Sequence, residues 1–364
     1  MIIIYNFQMK WLYGFIGVLI LFSGIFFWFF NNREVEMASP LSKIEKKDEI
    51  NQTVKEKNTG WLAKYNFENL RKRKNEASEI KTIGKVLVVE EARKDLVKRG
   101  DLEGKTFDFE SKAISFESNG KKISGMMNLP VGYKNKKSPV IIMIRGYADN
   151  EGYFVGSGSW KAADELARNG FITISLDFLG YGLSDMESGD ILEARFEKPV
   201  SVMDLIESVK QLKIVDTSKI GIWSHSNGGQ IAISVLEITG ANYPTVLWAP
   251  MTNPFPKSVL DMVDDNSESS LKVKQKIEDF EKEYDSKLYS IDNFYSWINA
   301  PIFIHQGTAD VWCKVEWQQE LQSNLRKLGK EVILDIKKDN DHNFKQNWQD
   351  VIDMDIQFFK QKFE

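Results

Sequence analysis

The sequence has few of the residues that build disulfide bonds and metal centres. Cys313 is the single cysteine among 364 residues, so no disulfide bond can form within the chain. The chain has three histidines, and neither paired C-x-x-C nor H-E-x-x-H patterns occur. These absences exclude the common zinc motifs, and we expect neither a metal nor another cofactor.

A strong excess of charge is also missing. The formal net charge is −4, and no basic stripe with interleaved aromatic residues is present, so we expect no nucleic-acid partner. The stretch "GDLEGKT" (Gly100–Thr106) looks like a phosphate-binding loop. Its two glycines stand too close together for that loop, and it follows a charged helical pattern where a buried strand is required.

One long run has no charge at all. Residues Trp11–Phe30, "WLYGFIGVLILFSGIFFWFF", would span about 30 Å as a helix, which matches one hydrocarbon core. No small-x-small cleavage site follows, so we expect residues 1–30 to be an uncleaved transmembrane anchor in the lipid bilayer. Residues 31–60 are polar and charged and predict a flexible tether.

The orientation of this anchor has two interpretations. Lys10 precedes the run, whereas several basic residues, among them Arg33 and Lys43, follow it, and this count favours a cytoplasmic main domain. A short N-terminal segment with one lysine is instead typical of an anchor that exports the chain on its C-terminal side. We expect the catalytic domain to lie outside the cytoplasm.

The remaining chain divides at about residue 105. The pattern over residues 61–105 predicts a small helical segment, and the main domain covers residues 106–364. It starts with two alternating strands on either side of Asn119-Gly120, the dipeptide that most strongly indicates a two-residue hairpin.

Apolar runs and helical patterns then alternate along the chain. The predicted strands are Pro139–Gly146, Phe171–Gly180, Lys219–Ser224, Tyr243–Pro250, Ala300–Gly307 and Glu331–Lys337. The predicted helices are Ser159–Gly170, Val200–Lys213, Gly228–Thr239, Val315–Leu328 and Trp348–Phe363. This order predicts an α/β fold with a mostly parallel, doubly wound sheet and an antiparallel hairpin at its start.

Residues 251–296 interrupt the alternation with a charged helical stretch. An insertion at this point would lie near the carboxyl ends of the strands, where open α/β sheets bind ligands. It is either a cap over a site or a solvated helix packed on one side, and the sequence favours neither.

The stretch "WSHSNGG" (Trp223–Gly229) lies between a predicted buried strand and a predicted helix. A nucleophilic serine on such a sharp turn needs small residues two positions before and two positions after it. Ser226 meets this requirement, with Ser224 before it and Gly228 after it. Ser224 fails as the nucleophile because the bulky Ile222 precedes it.

An attacking serine needs a base and an acid that orients the base. Asp310 and His342 follow Ser226 in the order acid then histidine, each in a loop directly after a predicted strand. Of the other histidines, His225 is held inside the turn and His305 lies within a strand. We therefore predict a catalytic triad of Ser226, Asp310 and His342.

A developing oxyanion requires two N–H donors. We expect one from the backbone of Asn227, at the start of a helix whose dipole favours negative charge. The other should come from the loop after "VIIMIRG", at Tyr147.

With these motifs together, the stretch from about Lys112 to Phe363 resembles the α/β-hydrolase superfamily. More narrowly, it is similar to the catalytic domain of the prolyl oligopeptidase (S9) family and to dienelactone-hydrolase-like enzymes. The matching pieces are "PVIIMIRGY", "ARNGFITISLDFLGYGLSD", "KIGIWSHSNGGQIA", "APIFIHQGTAD" and "DNDHNF". The resemblance does not include an N-terminal β-propeller, for which residues 1–105 are too few and too helical.

The chain departs from this family at Arg145, where the family's oxyanion loop usually has histidine. Arg145 either places a positive charge near the site, which would favour a carboxylate-bearing substrate, or points away and pairs structurally. Trp312 is a further candidate for substrate binding. Trp160, Trp223 and Trp248 either wall an apolar pocket with it or belong to the core.

The resemblance implies a serine hydrolase that works through an acyl-enzyme on a peptide or a small ester, and the predicted anchor adds that it is membrane-tethered. A serine peptidase of the S9 type is the first expectation. A carboxylesterase, lipase-like or dienelactone-hydrolase-like enzyme is the alternative within the same chemistry. A hydrolase-fold protein that binds without catalysis is the alternative from another class.

Overall fold

A nine-stranded sheet lies at the centre of the residues that the computed structural model describes, which are 57–98, 107–263 and 267–364. Its strands are β1 (Lys81–Gly84), β2 (Phe109–Ser118), β3 (Lys121–Pro130), β4 (Ser138–Ile144), β5 (Ile172–Leu176), β6 (Val215–His225), β7 (Thr245–Trp248), β8 (Ile302–Gly307) and β9 (Val332–Lys337). Their spatial order is β1-β2-β3-β5-β4-β6-β7-β8-β9.

The sheet is antiparallel at one end and parallel elsewhere. Strands β1, β2 and β3 pair antiparallel, as β3 does with β5, and every pair from β5 through β4 to β9 is parallel. Asn119 and Gly120, with φ of 50° and 71°, form the turn between β2 and β3. The predicted mostly parallel α/β sheet and its hairpin start are therefore confirmed.

Nine α-helices accompany these strands within the described residues. They are α1 (Phe67–Lys72), α2 (Leu87–Lys98), α3 (Trp160–Arg168), α4 (Ile191–Val209), α5 (Asn227–Thr239), α6 (Lys257–Leu260), α7 (Glu268–Glu283), α8 (Val315–Lys327) and α9 (Trp348–Phe363). Short 3-10 helices cover Trp61–Tyr65, Ser286–Tyr289, Ile291–Asn293 and Tyr295–Trp297.

Both faces of the sheet are covered, as the uninterrupted apolar strands require. On β4, Ile142 and Ile144 belong to a core with α1, α4, α5, α7 and α8. Ile141 and Met143 point to the opposite face and pack with α2, α3 and α9. This two-sided burial fixes the register of β4, because a shift by one residue would exchange the two faces.

Two elements differ from the sequence prediction. β1 lies inside the segment predicted to be helical; all four of its residues are exposed, so no burial pattern indicates a strand. Helix α4 begins at Ile191, before the predicted start at Val200, and continues through Pro199. The carboxylate of Asp190 caps its start by accepting from the N–H of Leu192 at 2.9 Å.

The interrupting segment packs on the α4 side of the sheet. Phe280 of α7 contacts Phe196 of α4, with ring centroids 5.7 Å apart, and Tyr289 lies 4.9 Å from Phe196. Tyr289 also donates to the carbonyl oxygen of Leu62 at 3.3 Å, which joins residues 61–72 to the same side.

The predicted anchor at Trp11–Phe30 and residues 31–56 lie outside the described residues. Among the helices that the structure does describe, none combines the length and the apolar character needed to cross a bilayer.

Candidate active site

Ser226 occupies the sharp turn between β6 and α5. Its backbone has φ of 55° and ψ of −124°, a conformation that is strained for any residue with a side chain. Backbone hydrogen bonds on both sides hold the turn: Ser226 N–H donates to Trp248 O, and its carbonyl accepts from Met251 N–H, each at 2.9 Å. This is the geometry of a nucleophile elbow.

Close packing explains the small residues around Ser226. A Cβ on Gly228 would lie 2.4 Å from the carbonyl oxygen of Ile144 and 2.7 Å from that of Arg145. A Cβ on Gly146 would lie 2.8 Å from the Cβ of Ser226. Ser224 is fully buried in β6, where its hydroxyl faces the carbonyl oxygen of Val246 at 3.4 Å.

The acid and histidine loops meet at the carboxyl ends of the strands. Nδ1 of His342 lies 2.8 Å from Oδ2 of Asp310, which also accepts from Nε2 of Gln306 at 3.0 Å. The other oxygen of Asp310 accepts from the N–H groups of Trp312 and Cys313. Burial opposes ionisation, but the hydrogen bonds from His342 and Cys313 hold the pKa of Asp310 below its ordinary value.

His225 has a structural position beside the elbow. Its Nε2 lies 3.0 Å from the carbonyl oxygen of His342, and because a carbonyl only accepts, this nitrogen carries the proton. Burial lowers the pKa of His225 to about 4, so the ring is neutral. The two imidazole rings lie 4.7 Å apart, and the contact joins the histidine loop to the elbow.

His305 is fully buried in β8 and belongs to a separate cluster in the core. Its ring nitrogens contact Asp335 at 2.8 Å and Asp355 at 2.9 Å. Burial opposes protonation, yet the two carboxylates raise the pKa of His305. Asp355 also accepts from the indole N–H groups of Trp223 and Trp248, at 3.1 and 2.7 Å.

Arg145 is buried, and its guanidinium faces the protein. It donates to the hydroxyl of Tyr153 at 3.0 Å, and to the carbonyl oxygens of Gly146 and Asp177 at 2.8 Å each. The Tyr181 ring lies 4.0 Å from its central carbon. This placement favours the structural interpretation of Arg145 over direct contact with substrate.

The two expected oxyanion donors belong to Asn227, which follows Ser226 in the chain, and to Tyr147, which follows Gly146. Asn227 is the first residue of α5, where a backbone N–H has no partner within its helix. Tyr147 follows Gly146 in the adjacent loop; its side chain is exposed and donates to Asp149 at 2.8 Å.

The tryptophans divide between surface and core. Trp312 is 60% exposed, next to Asp310, whereas Trp223 and Trp248 are buried. Trp160 and Trp348 are half-buried and line a cleft of about 640 Å³ between α3 and α9. Trp223, Trp248 and His225 line the same cleft, whereas Trp312 does not.

Three groups at the site have the chemistry of metal ligands. The ligand atoms of Asp310, Cys313 and His342 all lie within 4.8 Å of one another. Burial raises the pKa of the Cys313 thiol, and metal binding requires the thiolate. Both oxygens of Asp310 already accept hydrogen bonds, so the arrangement fits an acid that orients a histidine better than a metal site.

Arg195 and Lys198, which sequence reasoning missed, line a second, smaller cavity beside the elbow. The cavity measures about 30 Å³, and Asn227 also lines it. Both cations lie in the first half of α4, before Pro199. In the sequence, the signal for this pair is the presence of two cations three residues apart in a helix that is otherwise mostly apolar and buried.

The fold and this site define an α/β-hydrolase with a serine at its nucleophile elbow. The model of the prolyl oligopeptidase family matches residues 162–364. The chain belongs to this family, because the match covers more than half of its length and includes the elbow, the acid loop and the histidine loop.

Among curated proteins, the chain is 28% identical over 95 residues to an uncharacterized 31.7 kDa protein from the traX-finO intergenic region of Escherichia coli. The match covers 26% of this chain and 31% of that protein.

Solved structures with the same fold include peptidases and esterases. A putative dipeptidyl aminopeptidase IV from Bacteroides ovatus has a TM-score of 0.56 and 15% identity, over 71% of this chain and 36% of that one. An acetyl xylan esterase from Paenibacillus sp. R4 has a TM-score of 0.56 and 15% identity, over 80% and 91% of the chains. An esterase from Pyrococcus furiosus has a TM-score of 0.50 and 20% identity, over 70% and 92%.

The close contact at Gly228 predicts that one added methyl group at this position lowers the stability of the protein. Gly228→Ala would place its Cβ against rigid backbone carbonyls, so we expect a loss of about 3 kcal/mol in unfolding free energy, measured by denaturant titration. Gly189→Ala is the matched control, because no atom lies within 4 Å of its added Cβ. Equal stability of the two variants would contradict the packing described for the elbow.

Proposed function

We propose that this protein is a serine hydrolase that works through an acyl-enzyme, with Ser226 as nucleophile, His342 as general base and Asp310 as the orienting acid. The observation that carries the proposal is the 2.8 Å contact between Nδ1 of His342 and Oδ2 of Asp310, next to a strained serine elbow. Asp310 holds the Nδ1–H tautomer and leaves Nε2 free to take a proton.

Each step of the proposed reaction uses the same three residues. His342 removes the proton of the Ser226 hydroxyl as its oxygen attacks the acyl carbon, and then gives that proton to the leaving group. Water repeats the sequence on the acyl-enzyme, and His342 again serves as base and acid. Ionised Asp310 stabilises the imidazolium that forms in both halves of the reaction.

The N–H groups of Asn227 and Tyr147 hold the oxyanion in this proposal. Arg145 supports the second donor indirectly, because Gly146 O and Tyr147 N–H belong to one planar peptide unit. The guanidinium donates to Gly146 O at 2.8 Å and to Asp177 O at 2.8 Å, which fixes the plane against a buried turn. Arg145 is therefore a positioning residue.

Peptides are the first substrate class we propose, as the family match supports. Ester hydrolysis is the second candidate. The observation that favours it is the extent of the similarity, which spans 91% and 92% of two solved esterases but 36% of the solved dipeptidyl aminopeptidase. Peptide p-nitroanilides and p-nitrophenyl esters of matched acyl groups separate the two candidates by kcat/KM.

Triad variants test the assignment of roles. We expect Ser226→Ala or His342→Ala to lower kcat on the better substrate by about 10⁴-fold or more, because either change removes the proton-coupled attack. Asp310→Asn should cost about 10⁴-fold by allowing the wrong histidine tautomer. Ser224→Ala, which removes the rival hydroxyl, should retain wild-type kcat; loss of activity in this variant alone would assign the reaction to Ser224.

An Arg145 variant tests the oxyanion loop. Arg145→Met frees the Gly146–Tyr147 peptide to rotate, and we expect kcat to fall about 10- to 100-fold with KM nearly unchanged, since a lost oxyanion donor costs about 10²- to 10³-fold. Denaturant unfolding identifies any variant that has lost its fold. A folded variant with wild-type kcat, or with a raised KM alone, would contradict the positioning role.

We also propose that residues 11–30 anchor the protein in a membrane with residues 106–364 outside the cytoplasm. The uncharged length of this run supports the anchor. The full chain should sediment with membranes, a chain lacking residues 1–30 should not, and external protease should digest the main domain in intact cells. A main domain protected from that protease would contradict the export.

A further inference from the structure

Within the described residues, Arg195 carries a positive charge that has no carboxylate partner. Its guanidinium donates to the hydroxyl of Ser258 at 3.0 Å and to the amide oxygen of Gln230, which are both neutral groups. Burial lowers the pKa of Arg195 to about 10, which is still far above neutral pH. The guanidinium therefore stays charged in a place that offers it neutral partners.

Lys198 lies one helical turn further along α4. Within the described ranges its ammonium forms neither a hydrogen bond nor an ion pair. Burial lowers the pKa of Lys198 to about 8, although the charge of Glu187 opposes this effect and those of Arg195 and Arg145 add to it. The charge of the adjacent Glu197 also opposes the effect of burial, but the ion pair of Glu197 is with Lys121, at 3.4 Å.

A partly buried cation without a counter-ion is costly, because its lost hydration is not replaced. Two such cations in one cavity repel each other as well, and an anion bound between them would relieve both costs. Arginine and lysine together suit a carboxylate. The guanidinium donates two parallel hydrogen bonds to its oxygens, and the ammonium of lysine places a compact positive charge beside them.

The cavity that these cations line adjoins the proposed reaction centre. Asn227, whose backbone N–H is a proposed oxyanion donor, belongs to its lining, and the orphan N–H groups at the start of α5 also favour negative charge. Phe196, Phe255 and Tyr289 line the cavity as well, together with the polar side chains of Gln230 and Ser234. Its volume of about 30 Å³ admits a small polar group and excludes a large one.

We propose that this cavity binds a carboxylate on the acyl part of the substrate, held by Arg195 and Lys198. The inference rests on the proposed serine hydrolase function, since Ser226 must attack the same acyl group. The carboxylate has two possible sources: an aspartate or glutamate side chain next to the scissile bond of a peptide, or the free end of a dicarboxylic half-ester.

Substrate pairs that differ in charge and match in size test the proposal. The peptide pair is acetyl-Ala-Glu and acetyl-Ala-Gln p-nitroanilide, and the ester pair is p-nitrophenyl hydrogen adipate and p-nitrophenyl hexanoate. Wild type should prefer the anionic member of at least one pair by about 10- to 100-fold in kcat/KM. The pair that shows the preference identifies the source of the carboxylate.

Two variants locate the preference in the cavity. Lys198→Met keeps the length and apolar stem of the side chain, and it should reduce the preference at least ~10-fold while hydrolysis of the neutral member persists. Arg195→Gln should do the same if it folds. Lys272→Met removes an exposed lysine of α7 and should leave the preference unchanged.

Labelling by a fluorophosphonate tests the serine hydrolase function separately from the carboxylate site. If wild type labels but prefers neither anionic substrate, or if Lys198→Met retains the full preference, the carboxylate site is wrong and the serine hydrolase function stands. If folded wild type does not label, the proposed function itself is wrong.

Discussion

The close approach of α5 to the end of β4 is the constraint on which the rest of the site depends. Glycine at position 228 leaves room for this approach. A Cβ at this position would lie 2.4 Å from the carbonyl oxygen of Ile144 and 2.7 Å from that of Arg145. Ser226, two residues earlier, has a positive φ of 55°, as the sharp turn of a nucleophile elbow requires. The same turn leaves the N–H of Asn227 without a partner in its helix.

The cations near the carboxyl ends of the strands differ in the groups that they contact. Arg145 directs its hydrogen bonds to backbone carbonyls and a tyrosine, so its positive charge stabilises the loop rather than a ligand. Arg195 and Lys198, on α4, form no ion pair in the part of the chain that the structure describes, and they share a cavity with Asn227. We therefore attribute the proposed preference for a carboxylate-bearing substrate to Arg195 and Lys198 on α4, and not to Arg145.

Local patterns were enough to predict much of this arrangement. The Asn119-Gly120 hairpin and the alternation of buried strands with helices follow from turn chemistry and periodicity, and Asp310 and His342 follow from loops at the ends of apolar strands. The first half of α4 could not be predicted, because Pro199 is typical of a helix start, whereas the actual cap, Asp190, lies nine residues before it. The direction of Arg145 and the meeting of two cations at one cavity depend on tertiary packing, which no spacing rule contains.

The elbow contains two serines, and we propose that only Ser226 is the nucleophile. The most direct measurement is tandem mass spectrometry of the wild-type protein after reaction with a fluorophosphonate, with the modified residue located in the peptide that contains "WSHSNGG". We predict a single adduct, on Ser226, and none on protein unfolded before the reaction. An adduct on Ser224, or no adduct on the folded protein, would contradict the account.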